Sequence, residues 1–186
     1  MTPPTLLRLA GQAPEAPATT PLRRLLLQQV AEMHAAEKDA VQVLAELAAA
    51  ARSPRLGLLL RLHVAETREH IARMRGILDR NGIAPVTLAS RGKRGLLEDC
   101  IELACRDDAE PGVRDAALAA VAVHLEHDEI ASYQVLRLWA RKLGMHEEAH
   151  ALAMTMSDEL RLEARLLQWS SAEAVQEPAE TVAIRV

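Results

Sequence analysis

Two copies of one start signal, Thr20-Pro21 and Ser53-Pro54, bracket a stretch in which neither glycine nor proline occurs. A hydroxyl side chain caps the free N–H groups at a helix start, and proline suits the first helical position, where its missing N–H has no partner to lose. The residues between the two signals therefore predict one uninterrupted helix, from about 21 to 52. The second signal opens another helix, from about 54 to 81, stopped by Asn81-Gly82. Pro111 and Gly144 bracket a third long helix, and a fourth runs from Met145 to about Trp169. Between Gly82 and Gly112 the chain is mixed, with an apolar stretch from Leu96 to Cys105 that reads as a short helix. This segment is long enough to carry the chain across a bundle. Alanine and leucine make up about a third of the residues, and three aromatic side chains are present, a composition suited to closely packed helices. The predicted class is all-α.

Residues 1–20 carry Pro3, Pro4, Pro14 and Pro17 and read as an extended or disordered arm. Residues 21–170 form the predicted bundle, and 171–186 a weakly patterned tail in which Val182-Ala183-Ile184 offers an apolar stretch to a partner. A formal charge of −4 with acids and bases interspersed presents no basic face for phosphate backbones, so nucleic acid is not an expected partner. No apolar run reaches the roughly 18 residues of a membrane span, and the proline-rich start lacks a secretory pattern, so a cytoplasmic setting is expected. Cys100 and Cys105 point about 140° apart on one predicted helix and read as small core or boundary residues.

Seven residues able to hold a metal ion share one depth in this arrangement. Counting from Ser53, Glu37 lies 16 positions before, and Glu66 and His70 lie 13 and 17 after. Counting from Gly144, Glu126 and Glu129 lie 18 and 15 before, and Glu159 and Glu163 lie 15 and 19 after. At about 1.5 Å per residue, all seven sit roughly 20–29 Å from their turn, so two hairpins packed side by side join them in one polar layer.

Several of these residues occupy core positions. Glu37 falls in the heptad series Val30, Glu37, Leu44, Ala51, beside Leu26, Met33, Ala40 and Leu47. Glu159 and Glu163 fall within the stripe of Leu152, Met156, Leu166 and Leu167. His70 shares the track of Leu56 and Ile77, with Glu66 about 40° away, whereas Glu69 points well off that face. Glu126, Glu129 and Tyr133 continue the track of Ala119 and Ala122. A single such glutamate is most simply a boundary residue or the partner of an arginine, for which Arg73 and Arg137 are available. As a set they cannot be explained so easily, because burying several carboxylates without cations costs several kcal/mol for each. Divalent cations remove that penalty. Inward carboxylates from four helices are the donor pattern of dimetal sites in helical bundles.

Ala36-Glu37-Lys38, Glu66-Thr67, Val113-Arg114-Asp115-Ala116-Ala117-Leu118 and the run from Glu126 to Tyr133 resemble the YciE/YciF-like branch of the ferritin-like superfamily over about residues 21–167. The resemblance implies a ferritin-like four-helix bundle with an extra helix in the crossover, a dimetal site, a homodimer and an association with stress responses. The ligands it implies fall on Glu37, Glu66, Glu126, Glu129 and Glu159, with Glu163 where an aspartate is common. Asp128 replaces a usual tyrosine, His70 stands where glutamine is frequent, and the Glu-x-x-His motif of other dimetal bundles is absent.

His146-Glu147-Glu148-Ala149-His150 matches the H-E-x-x-H pattern of zinc peptidases, but its imidazoles project about 100° or more from the apolar stripe and no third ligand is evident. His124 and His127 turn away from Glu126 and Glu129. His63, one turn before Glu66, is a reserve ligand or a supporting donor. Tyr133 reads as a packed residue with a satisfied hydroxyl. The expectation is two Fe ions, or Mn, per chain, since oxygen-rich ligands without thiolate favour these over Zn. Glu66, Glu129 and Glu159 are expected as central ligands and Glu37, His70, Glu126 and Glu163 as terminal ones. Oxidation of Fe(II) or reduction of peroxide is the chemistry such a pair would support. The alternative is a structural or partner-binding bundle in which metal is absent or only a brace.

Overall fold

The computed structural model describes residues 20–86, Gly95, Glu98, Glu102 and 111–173. Four long helices make up nearly all of these: α1 (Pro21–Ala50), α2 (Pro54–Arg80), α3 (Pro111–Lys142) and α4 (His146–Glu173). Both start signals act as the sequence predicts. The Thr20 hydroxyl accepts from the N–H of Arg23, and the Ser53 hydroxyl from that of Leu56, each with proline in the first turn. Gly82 and Gly144 take positive φ, 65° and 70°, at the ends of α2 and α3, a conformation that glycine adopts without a Cβ clash.

α1 packs chiefly on α2 and α3 on α4, while α1 also meets α3, and α2 meets α4. Polar links fix the ends. Asp115 on α3 accepts from the backbone N–H groups of Arg52 and Ser53, holding the first hairpin turn, and the indole of Trp169 donates to the Ser53 hydroxyl at 3.3 Å. At the other end Asn81 accepts from Arg23 at 2.7 Å and donates to Glu148 at 3.2 Å. These links place the end of α2 and the start of α3 at opposite ends of the bundle, so the connection spans its length. Glu98 and Glu102, within the stretch where a short crossover helix is expected, and Gly95 just before it are helical, and the other positions of that stretch lie outside the described residues. So do Cys100, Cys105, the N-terminal arm and Val182-Ala183-Ile184. No helix among the described residues is long and apolar enough to cross a membrane.

The core follows one heptad rhythm on every helix. Leu26, Val30, Met33, Glu37, Ala40, Leu44 and Leu47 are buried on α1, and Leu56, Leu60, His63, Thr67, His70, Met74 and Ile77 on α2. On α4 the buried series is Glu148, Leu152, Thr155, Glu159, Leu162, Leu166 and Trp169. This seam is narrower than the stripe expected from sequence. Leu167 is 52% exposed, and Met156 is only partly buried, packed against the edge of the core. Two apolar clusters fill the seam, one around Leu44, Leu60, Leu125, Leu166 and Trp169, the other around Leu26, Met74, Ile77, Leu136 and Leu152. The polar layer lies between them.

Candidate metal centre

Glu37, His63, His70, Glu126, Glu129, Tyr133 and Glu159 are all buried at this level. Each follows from the seam: a polar residue at a heptad position must point inward, because its helix has already committed that face to the core. Five of them form two groups of three. Glu37, His70 and Glu159 make one, His63, Glu126 and Glu159 the other, and within each the potential ligand atoms lie within 4.8 Å of one another. Glu159 belongs to both. Its Oε1 is 2.9 Å from Nδ1 of His70 and its Oε2 is 3.2 Å from Nε2 of His63. His70 Nδ1 also lies 3.6 Å from Glu37, and His63 Nε2 lies 3.5 Å from Glu126.

These approaches are close without being hydrogen bonds. Glu37 Oε2, His63 Nε2, both nitrogens of His70, Glu126 Oε2 and both oxygens of Glu159 are buried and lack a partner in hydrogen-bond geometry. Such orphans cost about 1–3 kcal/mol each, more when charged, and are rare in folded proteins. All but Nε2 of His70, which faces Asp158, gather in the same two groups. Donor atoms turned towards a shared centre rather than towards each other are what coordination of a cation requires, so the residues fit a metal pair.

Proton distribution is the layer's other means of balancing its charge. Burial raises the pKa of Glu37, opposed by His70 and reinforced by Glu159, so the carboxyl stays above its ordinary 4.5. Burial, with the charges of Glu159 and Glu129, drives Glu126 up further. Burial would lower His63 and His70, but Glu159 and Glu66 raise the first, while Glu159 and Glu37 raise the second to about 10. Glu159 moves the other way. Although burial opposes its ionisation, His63 and His70 hold it far below the usual carboxylate range. Without metal, the groups of the layer thus shift in opposite senses, Glu37, Glu126, His63 and His70 holding their protons more tightly than when free and Glu159 less tightly.

The remaining sequence candidates lie around this centre. Glu66 is 35% exposed; its carboxylate bonds Nδ1 of His63 at 3.2 Å, which holds it below the ordinary value against a smaller effect of burial. Glu163 stands at the edge, bonded at 2.7 Å to the exposed His127, and takes no part in either group of three. Glu129 is buried beside Glu126 and Tyr133; burial raises the pKa of both, and the charge of Glu129 adds to it. Tyr133 donates its hydroxyl to Glu37. Arg73 bonds Asp158 at 2.6 Å and no glutamate of the layer. Asp158 in turn lies 3.3 Å from Nε2 of His70, on the side away from Glu159. Periodicity offers no signal for Asp158, which lies off the seam. His63 had one: it continues the series Leu56, His63, His70, Ile77 without a break. Glu69, His124, His146 and His150 are exposed.

A four-helix bundle with this connection and this buried layer is a ferritin-like bundle of the YciE/YciF-like type. The chain belongs to the DUF892 family, described as a domain of unknown function, which matches residues 21–179. Protein YciF of Escherichia coli is 29% identical over 143 residues, covering 76% of this chain and 86% of that protein. The crystal structure of the E. coli stress protein YciF superimposes with a TM-score of 0.79 at 27% identity, over 84% of this chain and 98% of that one. YcfI from Rhodopseudomonas palustris gives a TM-score of 0.75 at 27% identity, over 82% of this chain and 96% of that one.

Proposed function

We propose that the layer is a nonhaem dimetal-carboxylate site, holding two Fe ions or, next, Mn, in a protein of stress physiology. The observation that carries this reading is the convergence of unpartnered buried donors on two points that share Glu159. Glu37 and His70 would hold one ion and His63 and Glu126 the other, with Glu159 between them. Three carboxylates and two imidazoles without a thiolate suit Fe and Mn, although the second imidazole brings the set closer to Zn than the sequence suggested. A bound iron pair would supply redox chemistry towards Fe(II) or peroxide. Around it the chain's own residues exclude water above and below, Glu66 orients the His63 imidazole through its hydrogen bond, Asp158 lies beside His70, and Tyr133 holds Glu37. The similar YciF of E. coli is a stress protein, which supports the stress part of this reading.

The test is metal analysis of protein produced with Fe or Mn supplied, combined with anomalous scattering. About two ions per chain within the layer is the expected result; metal-supplied protein without anomalous density there would remove the proposal. A homodimer and a cytoplasmic setting belong to the same reading, and light scattering on the purified protein checks the first.

A further inference from the structure

The H-E-x-x-H string is the one sequence motif that the buried layer leaves unused. It opens α4 directly after a tight turn, in which Gly144 N–H donates to Arg141 O at 3.1 Å and Met145 N–H to Ala140 O at 2.9 Å. That turn sends α4 straight back along α3. Arg137 and Arg141 lie one helical turn apart on α3, as do His146 and His150 on α4, at matching distances from Gly144. The two basic pairs therefore face each other. Between them is a cleft of about 200 Å³ lined by Arg137, Arg141, His146, Ala149, His150 and Ala153, with no carboxylate among them.

The acids of the same first turn face elsewhere. Glu148 accepts from Asn81, and Arg80 lies 3.4 Å from Glu148 and 3.6 Å from Glu147, on the α2 side. The start of α4 is thus divided, with its negative charges towards α2 and its imidazoles towards the arginines of α3. Arg137 Nε is buried without a hydrogen-bond partner, and none of the four basic side chains has an ion-pair partner among the described residues. A zinc site fits this poorly, since two guanidinium groups repel a cation, and the Glu147 carboxylate is 81% exposed beside Arg80.

We propose that this cleft binds a phosphate-type oxyanion, either inorganic phosphate or the phosphate end of a small monoester. Guanidinium groups present planar forks of N–H donors that match phosphate oxygens, and the imidazoles add further N–H donors from the opposite wall. The cleft has room for the ion and a small organic group. The site is independent of metal in the buried layer.

Calorimetric titration of the full chain with inorganic phosphate and with phenyl phosphate tests the proposal, with Zn(II) as a contrast. Arg141→Gln combined with His150→Gln changes two exposed side chains and leaves the fold intact, as a melting curve checks. Phosphate or phenyl phosphate is expected to bind with a Kd on the order of 1 mM or tighter, and the double variant to weaken it at least about ten-fold. Tighter binding of phenyl phosphate assigns the cleft to a monoester, and the reverse order assigns it to the free ion. Binding that the double variant leaves unchanged, or no binding of either up to about 10 mM, overturns the proposal. So does Zn(II) binding that the variant abolishes while phosphate has no effect, which would restore the zinc motif.

Discussion

His63 and His70 stand one heptad apart on α2, their ring centroids 5.8 Å apart and edge to face, and turn nitrogens towards opposite oxygens of the Glu159 carboxylate. One helix therefore supplies an imidazole to each half of the layer, and one carboxylate joins the halves. The consequences are unequal for different substitutions.

Glu159→Gln removes the group common to both halves, so metal content should fall from about two ions per chain to well under one, whereas Glu37→Gln and Glu126→Gln should each lose mainly one. His146→Ala with His150→Ala should change nothing, because both lie outside the layer. Elemental analysis after reconstitution with Mn(II) reads all four; retention of both ions in Glu159→Gln would show that the carboxylate is not shared.

Metal-free protein should lose stability as pH rises. Glu37 and Glu126 are held above 4.5, and His63 and His70 above 6.5, so the native state keeps protons that the unfolded chain has released. The stability each contributes is full below its ordinary value and is lost as pH rises through the folded one. Glu159 and Glu66, whose values are lowered, have made their contribution once pH exceeds the ordinary carboxylate range. The melting temperature with chelator should therefore fall from about pH 6 to about pH 9. Metal ions displace the protons and stabilise the native state by about 2.7 kcal/mol per site at a free concentration one hundred times Kd, so the gap between Mn(II) and chelator should widen with pH. A chelated protein whose melting point is flat or rising over that range would contradict the charge arrangement.

Redox function is separable from metal binding. If the pair acts on Fe(II) or peroxide, the iron-loaded protein should consume peroxide faster than an equal amount of free Fe(II), and Glu159→Gln should abolish the difference. Loaded protein that behaves like the free ion would favour a metal that only braces the bundle.

Asp115→Ala should destabilise the fold without touching the layer. The buried carboxylate holds two backbone N–H groups at the α1–α2 turn, and removing charge-assisted bonds of this kind costs about 2–4 kcal/mol. For a chain of this size the melting temperature should drop on the order of 5–10 °C with metal content unchanged. An unchanged melting temperature would place the control of that turn elsewhere, with Trp169 and Ser53.

What depends only on position along a helix was legible before any packing was known. Thr20-Pro21, Ser53-Pro54 and Gly144 act through their own backbone, so the ends of the helices were legible locally, and the common rise per residue put Glu37, His70, Glu126 and Glu159 at one depth. Inward direction was equally clear for residues strictly in the heptad series. It was not clear beside that series. A residue one position off the seam faces whatever the neighbouring helix puts there, and a single chain of periodicities carries no information about that neighbour. Glu66 and Thr67 compete for the same level of α2, and packing gave the core to Thr67, leaving Glu66 to bond His63 from the rim. Glu163 likewise met His127 across the α3–α4 groove instead of the layer. Asp158 reached His70 only because α2 packs on α4 at that height, which the helical pattern of either segment does not specify.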